Sequence, residues 1–176
     1  MTKIISYFIA AILLTLGHSA SAAVTPLSIS IVPPLQFPSD EYSITGLRIS
    51  ALWGQHRDLY GIDLGVVGNI TEQTFTGIAV SGGFNYTKGN TTVLGLQLAG
   101  LTNINTNKTN IYGLQASLGL NMNSAQGSLV GFGVALANIT PFTDVYGVQV
   151  GVYNKAQEVY GFQIGLVNVA SNLHGV

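Results

Sequence analysis

Val145-Tyr146-Gly147-Val148-Gln149-Val150-Gly151-Val152-Tyr153-Asn154 is followed, fourteen residues further on, by Val159-Tyr160-Gly161-Phe162-Gln163-Ile164-Gly165-Leu166-Val167-Asn168. Leu173-His174-Gly175-Val176 then opens the same unit again. Each copy runs apolar, aromatic, Gly, apolar, Gln, apolar, small, apolar, then Asn. Read backwards, the anchor glycine recurs at Gly131, Gly113, Gly95, Gly77, Gly61 and Gly46, with spacings from 46 onward of 15, 16, 18, 18, 18, 16, 14 and 14. A unit repeated at this period makes the fold an array of one small element.

Residues alternate within each unit, as they must on a strand, where successive side chains point to opposite faces. One face carries Leu94, Leu96, Leu98, then Tyr112, Leu114, then Val130, Phe132, Val134 and so on to Tyr160, Phe162, Ile164. The other carries Gly95, Gln97, Ala99, then Gly113, Gln115, Ser117, then Gly161, Gln163, Gly165. One side is greasy and the other small and mildly polar. Leu27, Ile29 and Ile31 alternate with Ser28 and Ser30 as a leading strand, which Val32-Pro33-Pro34 ends because proline cannot donate to a ladder. Stretches such as Asn103-Ile104-Asn105-Thr106-Asn107-Lys108-Thr109-Asn110 read as turns, and no helix is predicted beyond residue 22.

The fold class is all-β, and two arrays satisfy it. In an antiparallel up-and-down β-barrel of the outer-membrane type, about ten repeat strands of some 9–11 residues place the greasy face on lipid. Even spacings preserve that facing, and the array stops part-way into its tenth strand. The alternative is a parallel β-solenoid, with greasy faces inward. It accounts better for glutamines recurring in neighbouring units, Gln97 with Gln115 and Gln149 with Gln163. Unbroken alternation and coils of unequal length favour the barrel, which is the expectation carried forward.

Lys3, the apolar run Ile4 to Leu16 and Ala20-Ser21-Ala22 read as a signal peptide over residues 1–22, which leaves 23–176 as a single β-repeat domain. The chain is therefore expected to be exported, to a bacterial outer membrane or cell surface. Charged residues are only 7% of the chain, against about a quarter in ordinary soluble domains. Cysteine is absent, which removes disulfides and thiolate metal sites, and a net charge of −1 offers no basic footprint for nucleic acid.

Val32-Pro33-Pro34-Leu35-Gln36-Phe37-Pro38-Ser39, Thr45-Gly46-Leu47-Arg48-Ile49-Ser50, Tyr60-Gly61-Ile62-Asp63-Leu64-Gly65 and the serial Gly-Leu/Val-Gln units follow in fixed order. In that order, over residues 27–176, the chain resembles the bacterial surface repeat-containing proteins. The resemblance implies an exported surface protein and carries no activity with it. Gly77-Ile78-Ala79 and Gly131-Phe132-Gly133 depart from it by lacking Gln.

Chemistry-bearing residues are sparse. His18, His56 and His174 are too far apart for ligands on one strand, no serine has a His and Asp at triad spacing, and no glycine-rich turn opens a helix. No catalytic, cofactor or metal residue is expected, and the chain is read as non-catalytic. Arg48 and Asp63 each follow an anchor glycine by two residues in adjacent units, and are expected to form a structural ion pair in the lumen. Gln97, Gln115, Gln149 and Gln163 are expected to line that lumen. Tyr60, Tyr112, Tyr146 and Tyr160 precede anchors, as an interfacial aromatic girdle would. The leading expectation is an outer-membrane or surface β-repeat protein with a structural or surface-interaction role. Its partners would be outer-membrane lipid, other copies of itself or a surface partner. A narrow pore or small-molecule carrier, and a secreted β-solenoid binding through its small-residue face, are the alternatives.

Overall fold

The computed structural model describes residues 23–176, so the signal-peptide reading of 1–22 lies outside the described residues. Fifteen strands follow in order: β1 Val24–Val32, β2 Leu35–Phe37, β3 Ser43–Ser50, β4 Trp53–Gly65, β5 Gly68–Ser81, β6 Phe84–Thr87, β7 Asn90–Ala99 and β8 Thr102–Asn105. Then come β9 Thr109–Ser117, β10 Leu120–Asn123, β11 Gly127–Val134, β12 Ala137–Thr140, β13 Thr143–Val150, β14 Tyr153–Ile164 and β15 Val167–Leu173. The described residues contain no helix.

The strands form a β-solenoid of about nine turns, not a barrel. Apart from the antiparallel β1–β2 contact, every pairing is parallel. One sheet stacks the leading strand β1 and the anchor-glycine strands β3, β7, β9, β11 and β13 with the second halves of β4, β5 and β14. The other stacks the short strands β6, β8, β10, β12 and β15 with the first halves of β4, β5 and β14. Register is like on like: Gly95 on Gly113, Gln97 on Gln115, Asn103 on Asn121. Parallel stacking alone sets each residue against its own counterpart, and an antiparallel barrel would reverse every second copy.

The objection from unequal coils has a local answer. Two residues always separate the long strand from the short one: 66–67, 82–83, 100–101, 118–119, 135–136, 151–152 and 165–166. The second turn absorbs the variation. It holds two or three residues after β6, β8, β10 and β12, and none in β4, β5 and β14, where one strand bends through. The stretch read as turn at 103–105 belongs to the short strand β8, and beyond the prolines that end β1 the chain forms β2, which covers the free edge of β1.

The facing is also unlike that of the solenoid alternative. The greasy side of the long strands points out, with Leu94, Phe132 and Ile164 all more than half exposed. The small side is enclosed between the sheets. Hydrophobic filling there amounts to one large side chain per coil, Ile44, Leu59, Phe75, Val93, Ile111, Leu129, Val145 and Val159, with Ala79 and Ala156 beside them. The anchor glycines make this stacking close. Gly131 has φ +132°, and a Cβ on it would overlap the Gly113 carbonyl oxygen in the preceding coil. Only glycine tolerates both conditions.

Candidate functional site

Since the chain closes no barrel, the residues assigned to a lumen sit instead in a filled interior. Gln97, Gln115 and Gln149 are fully or almost fully buried and Gln163 is nearly so. Gln97 and Asn105 exchange two amide bonds of 3.1 Å across the two sheets. Gln115 and Asn123 do the same at 3.2 and 3.1 Å. Gln115 Nε2 donates to Gln97 Oε1 at 2.9 Å, and Asn105 Nδ2 donates to Asn123 Oδ1 at 2.9 Å, which closes a square of four amides. Where Gly133 interrupts the column, no amide continues it. Beyond the gap Gln163 donates to Gln149 Oε1 and Gln149 donates to Thr140 Oγ1. A pore needs open space here, and side-chain amides occupy it.

A second column runs through the asparagine that closes each unit. Asn69, Asn85, Asn103, Asn121, Asn138, Asn154 and Asn168 stack along the axis, each Nδ2 donating to the next Oδ1 at 2.8–3.0 Å. From Asn69 to Asn154 the same amide also donates to the carbonyl at the end of a long strand, such as Leu98, Ala116 or Val134, and so ties down the two-residue corner. The available signal was an asparagine seven or eight residues after every anchor from Gly61 to Gly161. Because all donors point one way, the first acceptor is left over: Asn69 Oδ1 is buried without a partner. The preceding coil has Gly54 at that register, where a side chain would strike Ser50 Oγ and Arg48 Cδ.

The structure brings Arg48 and Asp63 together at that end of the ladder. They are register partners on β3 and β4, both excluded from solvent. Arg48 Nε donates to Asp63 Oδ1 at 2.7 Å and Nη2 to Oδ2 at 2.5 Å, the planar fork geometry that suits a carboxylate. Nη1 donates to the Ile70 carbonyl at 2.8 Å, so the guanidinium also bridges to the second sheet. Burial pushes the Asp63 carboxyl up, and Arg48 pulls it back.

His56 lies in β4 and is fully buried. Arg48 Nη1 faces its Nδ1 at 3.4 Å, which makes Nδ1 the acceptor. Nε2–H is then directed at the Pro38 carbonyl at 3.3 Å, with Ser28 Oγ at 3.2 Å. Burial, then the Arg48 charge, lower its pKa to about 4. The Ser28–His56 contact was invisible to sequence spacing, and it inverts the geometry of a nucleophile and its base. A cation, not a carboxylate, stands behind the imidazole, so it is a weak base walled off from solvent. The described residues hold no group of three or more His, Asp or Glu placed to share a metal ion.

What the solenoid presents outward is apolar on three contiguous sides. The long-strand sheet shows Leu96, Tyr112, Phe132, Tyr146 and Phe162, and the short-strand sheet shows Val169 and, half-buried, Phe84, Tyr86, Ile104, Met122 and Ile139. Between them the corner carries Val66, Leu101, Leu118, Leu136, Val152 and Leu166, from 48 to 86% exposed. A shallow groove lined by Leu118, Val134, Leu136, Val150, Val152 and Leu166 runs across coils there. The largest apolar patch on a typical monomer is about 300–600 Å², and larger ones mark an interaction site. Comparison with protein-family models, curated proteins and solved structures finds no match for this chain.

Proposed function

We propose that this chain is an exported, non-catalytic β-solenoid that serves as a structural, surface-interaction module. Its outer apolar surface, not its small-residue face, is the binding face. The carrying observation is the inversion of the fold. Polar side chains are used up in interior ladders, while Leu, Val, Ile, Phe and Tyr are left outside on three sides. Such a surface costs free energy in water on the order of 25 cal/mol per Å², so it is built to be covered. The resemblance to surface repeat proteins points to the same reading, with the chain outside the cytoplasm.

The test is sedimentation of residues 23–176 in buffer, with and without a mild detergent. The wild type is expected to associate in plain buffer and to become monodisperse in detergent. Phe132→Asp with Phe162→Asp is expected to disperse it without detergent at unchanged far-UV circular dichroism. Monodisperse wild type in plain buffer overturns the reading.

A further inference from the structure

Resting on that binding reading, we propose that the occupant of the outer surface is the hydrocarbon of one phospholipid leaflet. The two-residue corner points into the acyl chains, and the second turn sits at headgroup level. A second copy, or a flat protein partner, covers one sheet face and leaves the corner and the other face bare. A fluid medium covers all three.

Charge placement complements a leaflet. Apart from the buried Arg48–Asp63 pair, Arg57, Asp58, Glu72, Lys88, Lys108 and Glu158 lie at or beside the second turn. Asp144 is the second residue of β13, at the same edge, and Asp40 and Glu41 precede β3; Lys155 lies further in, between Ile139 and Val169 on the short-strand face, where a lysine stem is long enough to carry its ammonium to that edge. The corner carries no charge in any coil. Buried hydrocarbon tolerates no other arrangement, since Lys, Arg or Asp at mid-depth costs about 2.5–3.5 kcal/mol each.

Depth is graded within each strand. From the second turn towards the corner the outward residues read Tyr146, Val148, Val150 and Tyr160, Phe162, Ile164. Tyr160 and Tyr146 stack with ring centroids 4.9 Å apart, and the Tyr160 hydroxyl donates to Glu158 at the polar edge. Tyrosine is the side chain that settles where hydrocarbon meets water. Five residues separate Tyr146 from the corner at Gly151, about 16 Å at a strand rise of about 3.3 Å per residue. Half of a hydrocarbon core of about 30 Å is the same depth. The strands therefore reach through one leaflet and no further. Their backbone groups are paired along the stack, as hydrocarbon requires. The polar edge carries four cations (Arg57, Lys88, Lys108, Lys155) and six anions (Asp40, Glu41, Asp58, Glu72, Asp144, Glu158), so adhesion needs no anionic lipid.

Trp53, the chain's single tryptophan, reports on this directly. It opens β4 immediately after the corner, on the outward side, because its neighbour Gly54 faces inward. Residues 23–176 diluted from detergent onto phosphatidylcholine vesicles are expected to float with them in a density gradient, equally at low salt and at about 1 M salt. Bromine on the acyl chains is expected to quench Trp53, and Leu118→Asp with Leu136→Asp to lower partition about tenfold or more, with Asn107→Asp neutral. Folded protein that fails to float, Trp53 that ignores acyl bromines, or binding abolished by salt overturns the leaflet proposal. If the chain then self-associates through the corner, and the corner variants disperse it, the binding reading stands alone. If it stays monomeric and bare, both fall.

Discussion

Replacing Asn121 with Asp exchanges one NH2 for one oxygen and changes almost nothing in volume, so it isolates the polarity of the ladder. The Asn121 amide donates to the Gln115 carbonyl at 3.1 Å, the Val134 carbonyl at 3.1 Å and Asn138 Oδ1 at 3.0 Å. Its Oδ1 accepts from Asn103 and Ser117, and the residue is fully buried. In Asn121→Asp the new oxygen meets three oxygens at those distances. Two N–H donors shared among three acceptors are lost, at about 1 kcal/mol each, and at least one acceptor is stranded at about 1–3 kcal/mol. Asn121→Asp is therefore expected to lose about 3–5 kcal/mol at neutral pH. Asn121→Ala sheds the bonds without adding an opposed charge and should lose about 2–4 kcal/mol. Protonation restores one donor to the aspartate, so that variant, unlike the alanine, is expected to recover part of its loss at mildly acid pH. Denaturant unfolding at several pH values measures the sizes. Because coils couple mainly to their neighbours, hydrogen exchange should locate the damage around β8–β12. Equal stability of Asn121→Asp and wild type, or an alanine variant worse than the aspartate, refutes the hydrogen-bonded ladder.

The buried histidine sets a pH dependence. With His56 near 4 in the fold and 6.5 unfolded, the unfolded chain binds more protons between those values. Stability is thus complete above about pH 6.5 and falls by about 3 kcal/mol as pH drops through 4, a slope that His56→Gln should abolish in denaturant titrations. Arg48→Met alone strands a buried carboxylate and should cost about 3–5 kcal/mol, while Arg48→Met with Asp63→Leu should recover most of it. A double-mutant cycle with no coupling would show that the pair does not act as one. Gly131→Ala meets both a left-handed φ and the Gly113 carbonyl, whereas Gly95→Ala at φ +104° meets only the Ile78 side chain, at an ordinary contact of 3.8 Å. Thermal unfolding should show a loss of about 3 kcal/mol or more for the first and about 1–2 kcal/mol for the second.

The repeat, the strand alternation and the outward side of the ribbon were all legible, because period two and the anchor glycine report directly on side-chain direction. The short strands were not. Thr102-Asn103-Ile104-Asn105 has turn composition, and its asparagines prefer strands only because the next coil supplies another asparagine to bond. Propensity describes a residue against an average surface and says nothing of a ladder of its own kind. The Arg48–Asp63 register was readable from two equal offsets. His56 was not, because its partners Ser28 and Pro38 arrive from other coils.

Barrel and inside-out solenoid share one alternation, since both enclose the small side and expose the greasy one. Their difference lies between neighbours. Adjacent identical residues, Gln97 beside Gln115 or Asn103 beside Asn121, have a physical use only when chains run parallel and in register, because an amide is both donor and acceptor. An antiparallel neighbour reverses the order and breaks the pairing. The same choice fixes where hydrophobic free energy can be gained. One large buried aliphatic or aromatic side chain per coil contributes about 1.5–3 kcal/mol, while Tyr146, Val150 and Val152 of a single coil remain 36–48% exposed. The interior is held by amides and backbone, and most of the apolar surface is left for whatever covers the outside. The proposed interaction role rests on that division of labour.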